Sequence, residues 1–288
     1  MMLTHGAAPS DEPQAALDTP SPAKDSPQAD RGEPKLWQTQ LANGVTVELV
    51  GVSEHPSRPA SWWRPDGSPL PEAPYDAFYG NANPRPEQQA REFALRVRGL
   101  TEGSSERWDV RPGGSMTSSS VEKNGKHLSD IMAIAIVLPK DERTCTVRYG
   151  VAGGLVKPPV RATPSLTPPG PFQAGDGWTT EARSRGNSSI GGSKLSIVFG
   201  TPRPIKDGTA ISISYTAIAD AVRAVAEDTS GKVHRPGRVR GGSAGETLRQ
   251  MDAEFRVKAE QIREFLLQSC PYQWAEFSGV QLLPKRGP

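Results

Sequence analysis

Thr247-Leu248-Arg249-Gln250-Met251-Asp252-Ala253-Glu254-Phe255-Arg256-Val257 opens a stretch, 247–267, whose reading decides the fold class. Leu248, Met251, Phe255, Ile262 and Leu266 recur at the helical period, whereas Met251, Ala253, Phe255 and Val257 recur at every second residue, as in a strand. Alternation favours a strand at 249–257, a short helical turn at 258–263, and strands at 264–269 and 274–282. A single helix over 246–267 stays open as the alternative. With strands here, nothing else in the chain calls for a long helix.

The segments on either side carry strand patterns too. Asn43-Gly44 forms a turn before Val45-Thr46-Val47-Glu48-Leu49-Val50-Gly51-Val52, a β-branched run. Over Arg91–Arg98, Phe93, Leu95 and Val97 alternate against Glu92, Ala94, Arg96 and Arg98, predicting a strand with one wet face. Ile131-Met132-Ala133-Ile134-Ala135-Ile136-Val137-Leu138 is apolar on both faces and predicts a central strand, turning at Pro139–Glu142 into an antiparallel hairpin with Thr144–Val151. A second antiparallel pair is expected to turn at Cys270-Pro271, with Tyr272, Trp274 and Glu276 on one face. Lys194–Phe199, Ala210–Ala217 and Val222–Ala226 add strands, and Lys232–Arg240 runs from a strand end into a loop at Gly241–Gly245. The fold expected is an all-β antiparallel sandwich with long Pro/Gly-rich loops.

The chain has 288 residues, with 29 Gly and 28 Pro, too many breakers for a coiled coil or helical bundle. Residues 1–35 hold almost no large apolar side chains, so they cannot offset chain entropy by burial and are expected to be a disordered tail. Residues 36–284 form the sandwich domain. The Gly/Pro/Ser/Thr-rich run 152–192 either joins two β-lobes, 36–152 and 193–284, or is a long loop inside one sandwich. Asn124-Gly125-Lys126-His127 and Ser230-Gly231-Lys232-Val233-His234 look alike, through duplication or chance.

Lys+Arg is 34 against 32 Asp+Glu, a balance that gives no electrostatic case for nucleic acid as the partner. No apolar run approaches the roughly 20 residues of a membrane span. Met1–Gly6 lacks a secretory pattern, so the chain as written reads as cytoplasmic; a membrane helix upstream would place it outside the cytoplasm. Cys145 and Cys270 lie far apart in sequence and read as two buried thiols.

Catalytic motifs are weak. Gly241-Gly242-Ser243-Ala244-Gly245 matches G-x-S-x-G, but a nucleophile elbow needs a strand, a sharp turn and a helix. Ser120-Val121-Glu122-Lys123 matches S-x-x-K, as does Ser21-Pro22-Ala23-Lys24, without the accompanying boxes. His5, His55, His127 and His234 occur singly, so no metal and no cofactor is expected. Lys232, His234, Arg235, Arg238 and Arg240 form a basic stretch without acids, read either as a solvated loop or as a phosphate contact.

The aromatic segment Trp62-Trp63-Arg64-Pro65-Asp66-Gly67-Ser68-Pro69-Leu70, with Tyr75, Phe78 and Tyr79, is the candidate binding feature. Pro presets φ and Gly permits positive φ, so Pro65-Asp66-Gly67 makes a tight turn that would hold both indoles rigidly. Two readings stand: the rings cap the end of the sandwich, or Trp62, Trp63, Arg64, Asp66, Tyr75 and Tyr79 bind a glycan or anchor a protein partner.

The runs Asn43–Val52, His55-Pro56-Ser57 and Trp62–Leu70 together resemble an uncharacterised bacterial domain of planctomycete-type genomes. Gly125-Lys126-His127-Leu128, Cys145–Ala152, Ile262-Arg263-Glu264-Phe265, Leu267-Gln268, Pro271-Tyr272, Trp274 and Glu276-Phe277 fit the same pattern, which covers residues 40–284. In similar proteins the domain follows a transmembrane segment, in membrane zinc-peptidase sensors or sigma/anti-sigma signalling proteins. The pattern has Arg before Pro271, where this chain has Cys270. The resemblance implies a sensory or adaptor role and no catalytic residues. The function expected is a non-enzymatic sensory or protein-interaction β-domain, with a carbohydrate- or cell-wall-binding module on an exposed Trp-rich loop as the alternative.

Overall fold

In the computed structural model, residues 37–58, 61–154, 177–185, 188–191, 196–244 and 247–285 are described. The expected tail at 1–35 and most of the Gly/Pro-rich run at 152–192 lie outside them.

Period-two patterns become strands throughout. The chain from Trp37 to Gly154 forms β1 (Gln38–Gln40), β2 (Thr46–Glu54), β3 (Trp62–Trp63), β4 (Ala77–Phe78), β5 (Gln88–Arg98), β6 (Ser105–Arg111), β7 (Met116–Ser119), β8 (Val121–Lys123), β9 (Lys126–His127), β10 (Ile131–Pro139) and β11 (Thr144–Ala152). Beyond it come β12 (Thr179–Arg185), β13 (Ser188–Gly191), β14 (Ile197–Phe199), β15 (Arg203–Ile205), β16 (Gly208–Thr216), β17 (Ala221–Asp228), β18 (Val233–His234), β19 (Arg238–Ala244), β20 (Leu248–Phe255), β21 (Ile262–Cys270) and β22 (Gln273–Gln281). The undecided stretch is strand, 3-10 turn (Ala259–Gln261), strand, as alternation favoured.

The first lobe stacks a sheet of order β1-β2-β5-β10-β7, with β3 also on β2, against a sheet of order β22-β11-β6. Their shared core interleaves Val47, Leu49, Phe93, Leu95, Ile134 and Ile136 with Val147, Tyr149, Val151, Ala275 and Phe277. The second lobe stacks β13-β12-β21-β17-β18 on β14-β16-β20-β19, around Ile211, Ile213, Ala253, Phe255, Phe265 and Leu267. Both are antiparallel sandwiches, in which each apolar face is covered by the opposite sheet.

Both expected hairpins are absent. Ile131–Pro139 pairs with β5 and β7, whereas Thr144–Ala152 pairs with β22 and β6 in the facing sheet. The chain arches between layers at Pro139–Glu142, because each strand has an apolar face that needs a sheet opposite it. Nor does Cys270-Pro271 turn an antiparallel pair: β21 belongs to the second lobe, while β22 returns to the first. The second lobe is thus inserted between β11 and β22. Ala152, Trp178, Ala221 and Cys270 pack together at the crossing, with Tyr272 against them.

The outer face of β5 is wet at Arg96 and Arg98; over Ala90, Glu92 and Ala94 it is buried. A third layer, containing the small sheet β4-β8-β9, covers it. There Trp62, Ala73, Tyr75 and Val121 pack on Ala94, Ile131 and Ala133. A bulge between Leu49 and Gly51 lets β2 feed both layers: Leu49 and Val52 point into the sandwich, while Val50 packs on the outer layer. Gly241–Ala244, expected as a loop, is the second half of β19.

The two look-alike tips differ in build. Asn124 and Gly125 both have positive φ, the two-residue hairpin geometry, whereas at 230–231 only Gly231 does. There Asp228 shapes the turn instead, accepting from the amides of Ser230 and Lys232 and from the Ser230 hydroxyl.

Candidate functional site

The Pro65-Asp66-Gly67 turn forms as its residues dictate. Gly67 has φ +88°, and Asp66 Oδ1 accepts from the Ser68 amide at 2.9 Å and the Ser68 hydroxyl at 2.7 Å. Those bonds from Ser68 hold the Asp66 carboxyl below its ordinary value. The indoles, however, face inward. Trp62 is 4% exposed and Trp63 2%. As neighbours on one strand they point to opposite faces. Trp63 enters the sandwich core and donates Nε1–H to the Gln281 carbonyl at 2.8 Å; Trp62 enters the outer layer, edge-on to Tyr75 with centroids 4.9 Å apart. Tyr75 is buried as well. Arg64 is exposed, donating to the Pro69 carbonyl, and Tyr79 is 64% exposed, donating to Glu122 at 3.2 Å. Of the two readings of this segment, packing of the rings is the one the structure shows, and the candidate residues do not converge on one open surface.

Beneath Trp62 lies a polar network that the sequence reading did not assemble. Glu92, 1% exposed, accepts from Tyr75 Oη at 2.6 Å and from the Ser57 amide at 2.9 Å, and lies 2.7 Å from His55 Nδ1. The Ala82 amide donates to His55 Nε2 at 3.3 Å, so the ring's proton sits on Nδ1 and points at Glu92. Burial, then the Glu92 charge, pushes the Tyr75 phenol well above its ordinary value and keeps it a donor. Both imidazole nitrogens and both carboxylate oxygens are engaged by the protein itself. The network ties His55, Ser57 and Tyr75 to Glu92 of β5.

A concave surface lies elsewhere, at one end of the second lobe. Three adjoining depressions of about 500, 430 and 610 Å³ share Arg256. Arg256 and Lys258 follow β20, Lys206 sits in the turn joining β15 to β16, and Arg235 and Arg238 come from the link between β18 and β19 and from the start of β19. Arg235 reaches the first lobe: a Cβ on Gly103 would fall 2.1 Å from its guanidinium. All five cations are exposed, and among the described residues none has an ion-pair partner within 4.0 Å. Glu102, Asp207, Glu254 and Glu260 lie on the same walls. Such a site can hold an anionic group by charge-assisted hydrogen bonds, with bidentate geometry where Arg meets carboxylate.

The basic stretch 232–240 was the sequence's one pointer to this cleft. Arg256, Lys258 and Lys206 carry no local signal, because the lobe's own pairing brings them alongside. The other motifs dissolve in their surroundings. Gly241–Ser243 lies in a strand followed by a strand, not an elbow, and Lys123 is bound to Glu72 at 2.6 Å and to the Ala73 carbonyl. Among the described residues no cluster of His, Cys, Asp and Glu has the arrangement of a metal site. Comparison with protein-family models, curated protein sequences and solved structures gives no match to this chain.

Proposed function

We propose that this chain is a non-enzymatic interaction module that captures an acidic segment of a protein partner in the Arg256 cleft. The observation that carries the reading is the convergence of Lys206, Arg235, Arg238, Arg256 and Lys258 on one concave end, where among the described residues none of the five has a carboxylate within 4.0 Å. A protein partner fits better than a polyphosphate chain, since Glu102, Asp207, Glu254 and Glu260 break the positive surface into separate spots. A sensory or adaptor role, as the family resemblance implies, is this same reading in a signalling setting. Sugar stacking finds less support, because the indoles it would use are turned inward.

The test is titration of the full chain with a fluorescein-labelled hexaglutamate peptide, followed by anisotropy at low and at physiological salt. Saturable, salt-sensitive binding that Arg256→Glu weakens tenfold or more is the expected result. Equal affinity of the wild type and Arg256→Glu would overturn the reading.

A further inference from the structure

The cleft continues into the end strand of a sheet. β19 is the end strand of its sheet, bonded to β20 on one side, and no strand lies along its other side among the described residues. Seven residues long, it presents a row of backbone N–H and C=O groups, the template to which another extended chain adds. Its side chains restrict which chain that can be. Arg238 and Arg240 alternate onto the outer face, each opposite an acid of β20, Glu254 and Asp252 respectively, and lie on the open side of those acids; no acid occurs from Lys232 to Ala244 itself. Val239 between them lies on the core-facing side, opposite the fully buried Ala253, yet is 50% exposed at the end of the sheet. Gly237 and Arg238, at the head of the strand, already line the Arg256 cleft.

We propose that the acidic segment binds as an added strand on β19. This rests on the function proposed above and names its mode. Acidic side chains two residues apart meet Arg238 and Arg240, an apolar side chain between them covers Val239, and the segment's end runs into the cleft at Arg256. The same arginines oppose pairing of two β19 edges from separate copies, where like charges would face each other.

Hydrogen exchange on the full chain, with and without an acetylated octapeptide of alternating Glu and Val, reads the mode directly. Amides in 238–244 are expected to exchange at least tenfold more slowly when the peptide is bound. Two N-methylated versions complete the test, with methyls on the odd or on the even amides. One parity should lose at least tenfold in affinity and the other little, because only alternate amides of an added strand face β19. Arg238→Glu/Arg240→Glu should also lose at least tenfold. Peptide binding that Arg256→Glu weakens, but with unchanged exchange at 238–244 and both parities tolerated, would overturn strand addition and leave acidic capture standing. No saturable peptide binding at low salt would overturn both. Tighter binding of a twelve-residue oligothymidylate than of the peptide would overturn the choice of a protein partner. Protection of 238–244 that rises with protein concentration alone would assign the edge to a second copy instead.

Discussion

Gly153 donates its backbone N–H to the sulfur of Cys270 at 3.2 Å. One residue lies just past β11, where the chain leaves the first lobe; the other ends β21, where the chain comes back. Gly153 has φ +81°, and a Cβ there would fall 2.5 Å from the Trp178 indole nitrogen, so the exit and the return close around a position built for glycine.

A chain ended at Cys270 is expected to lose the first lobe, not just a tail. It lacks β22, and with it Ala275, Phe277, Val280 and Leu282 of the inter-sheet core and the carbonyl that binds Trp63. The expected outcome is loss of cooperative thermal unfolding and of near-ultraviolet dichroism from the buried rings. A truncated chain melting like the full one would contradict the inserted-lobe arrangement.

Glu92→Ala leaves the Tyr75 hydroxyl, the Ser57 amide and the His55 Nδ1–H without their acceptor in a buried site. Each unsatisfied donor costs about 1–3 kcal/mol, so a loss of roughly 3 kcal/mol or more is expected. Glu92→Gln keeps one acceptor oxygen and should lose less. Urea unfolding of the two variants, with Tyr75→Phe as a third, measures the order.

Stability should fall at alkaline pH. Burial pushes the Cys145 thiol from its ordinary 9.0 up to about 12, and the Tyr75 and Tyr149 phenols are raised above 10.0 by burial and by Glu92 and Glu106 respectively. A group whose pKa is higher in the folded state supplies stability in full below its unfolded pKa and loses it as pH rises through the folded one. The window therefore opens near pH 9 with Cys145 and widens above pH 10 with the tyrosines, each group adding a slope of up to about 1.4 kcal/mol per pH unit. Denaturant midpoints should stay flat at pH 7–8 and drop above pH 9. Cys145→Ala should remove the earliest part of the fall; an unchanged profile in that variant would assign it elsewhere.

Trp62→Ala and Trp63→Ala test burial against binding. Each empties a packed site and should cost about 3–5 kcal/mol, while Arg64→Ala and Tyr79→Ala, on exposed positions, should stay within about 0.5 kcal/mol. Chemical denaturation separates the two pairs; stable tryptophan variants would mean the rings are not core.

Gly150 lies under the Trp274 ring, where a Cβ would fall 3.0 Å from its carbons, and Arg148 Cζ sits 4.4 Å from the ring centroid between Asp109 and Glu276. Gly150→Ala should lift the indole off the sheet, shift its fluorescence to the red and cost about 1–3 kcal/mol. An unshifted spectrum would show that the ring accommodates the methyl in place.

Strand identity was local information. Alternation at Phe93-Leu95-Val97 and at Met251-Ala253-Phe255, and the doubly apolar run Ile131–Leu138, report which faces need burial, and those segments are strands. Partnership was not local. Four residues between β10 and β11 serve equally well as a hairpin turn or as an arch between layers, and the choice depends on which sheet covers each apolar face. The same holds at Cys270-Pro271, where a short link crosses from one lobe to the other. Coverage of the Glu92 face, the inward turn of Trp62 and Trp63, and the gathering of Arg256, Lys258 and Lys206 beside Arg235 and Arg238 arise between segments far apart in the chain. Periodicity states that a face must be buried or charged; only the packed sheets decide what stands opposite it.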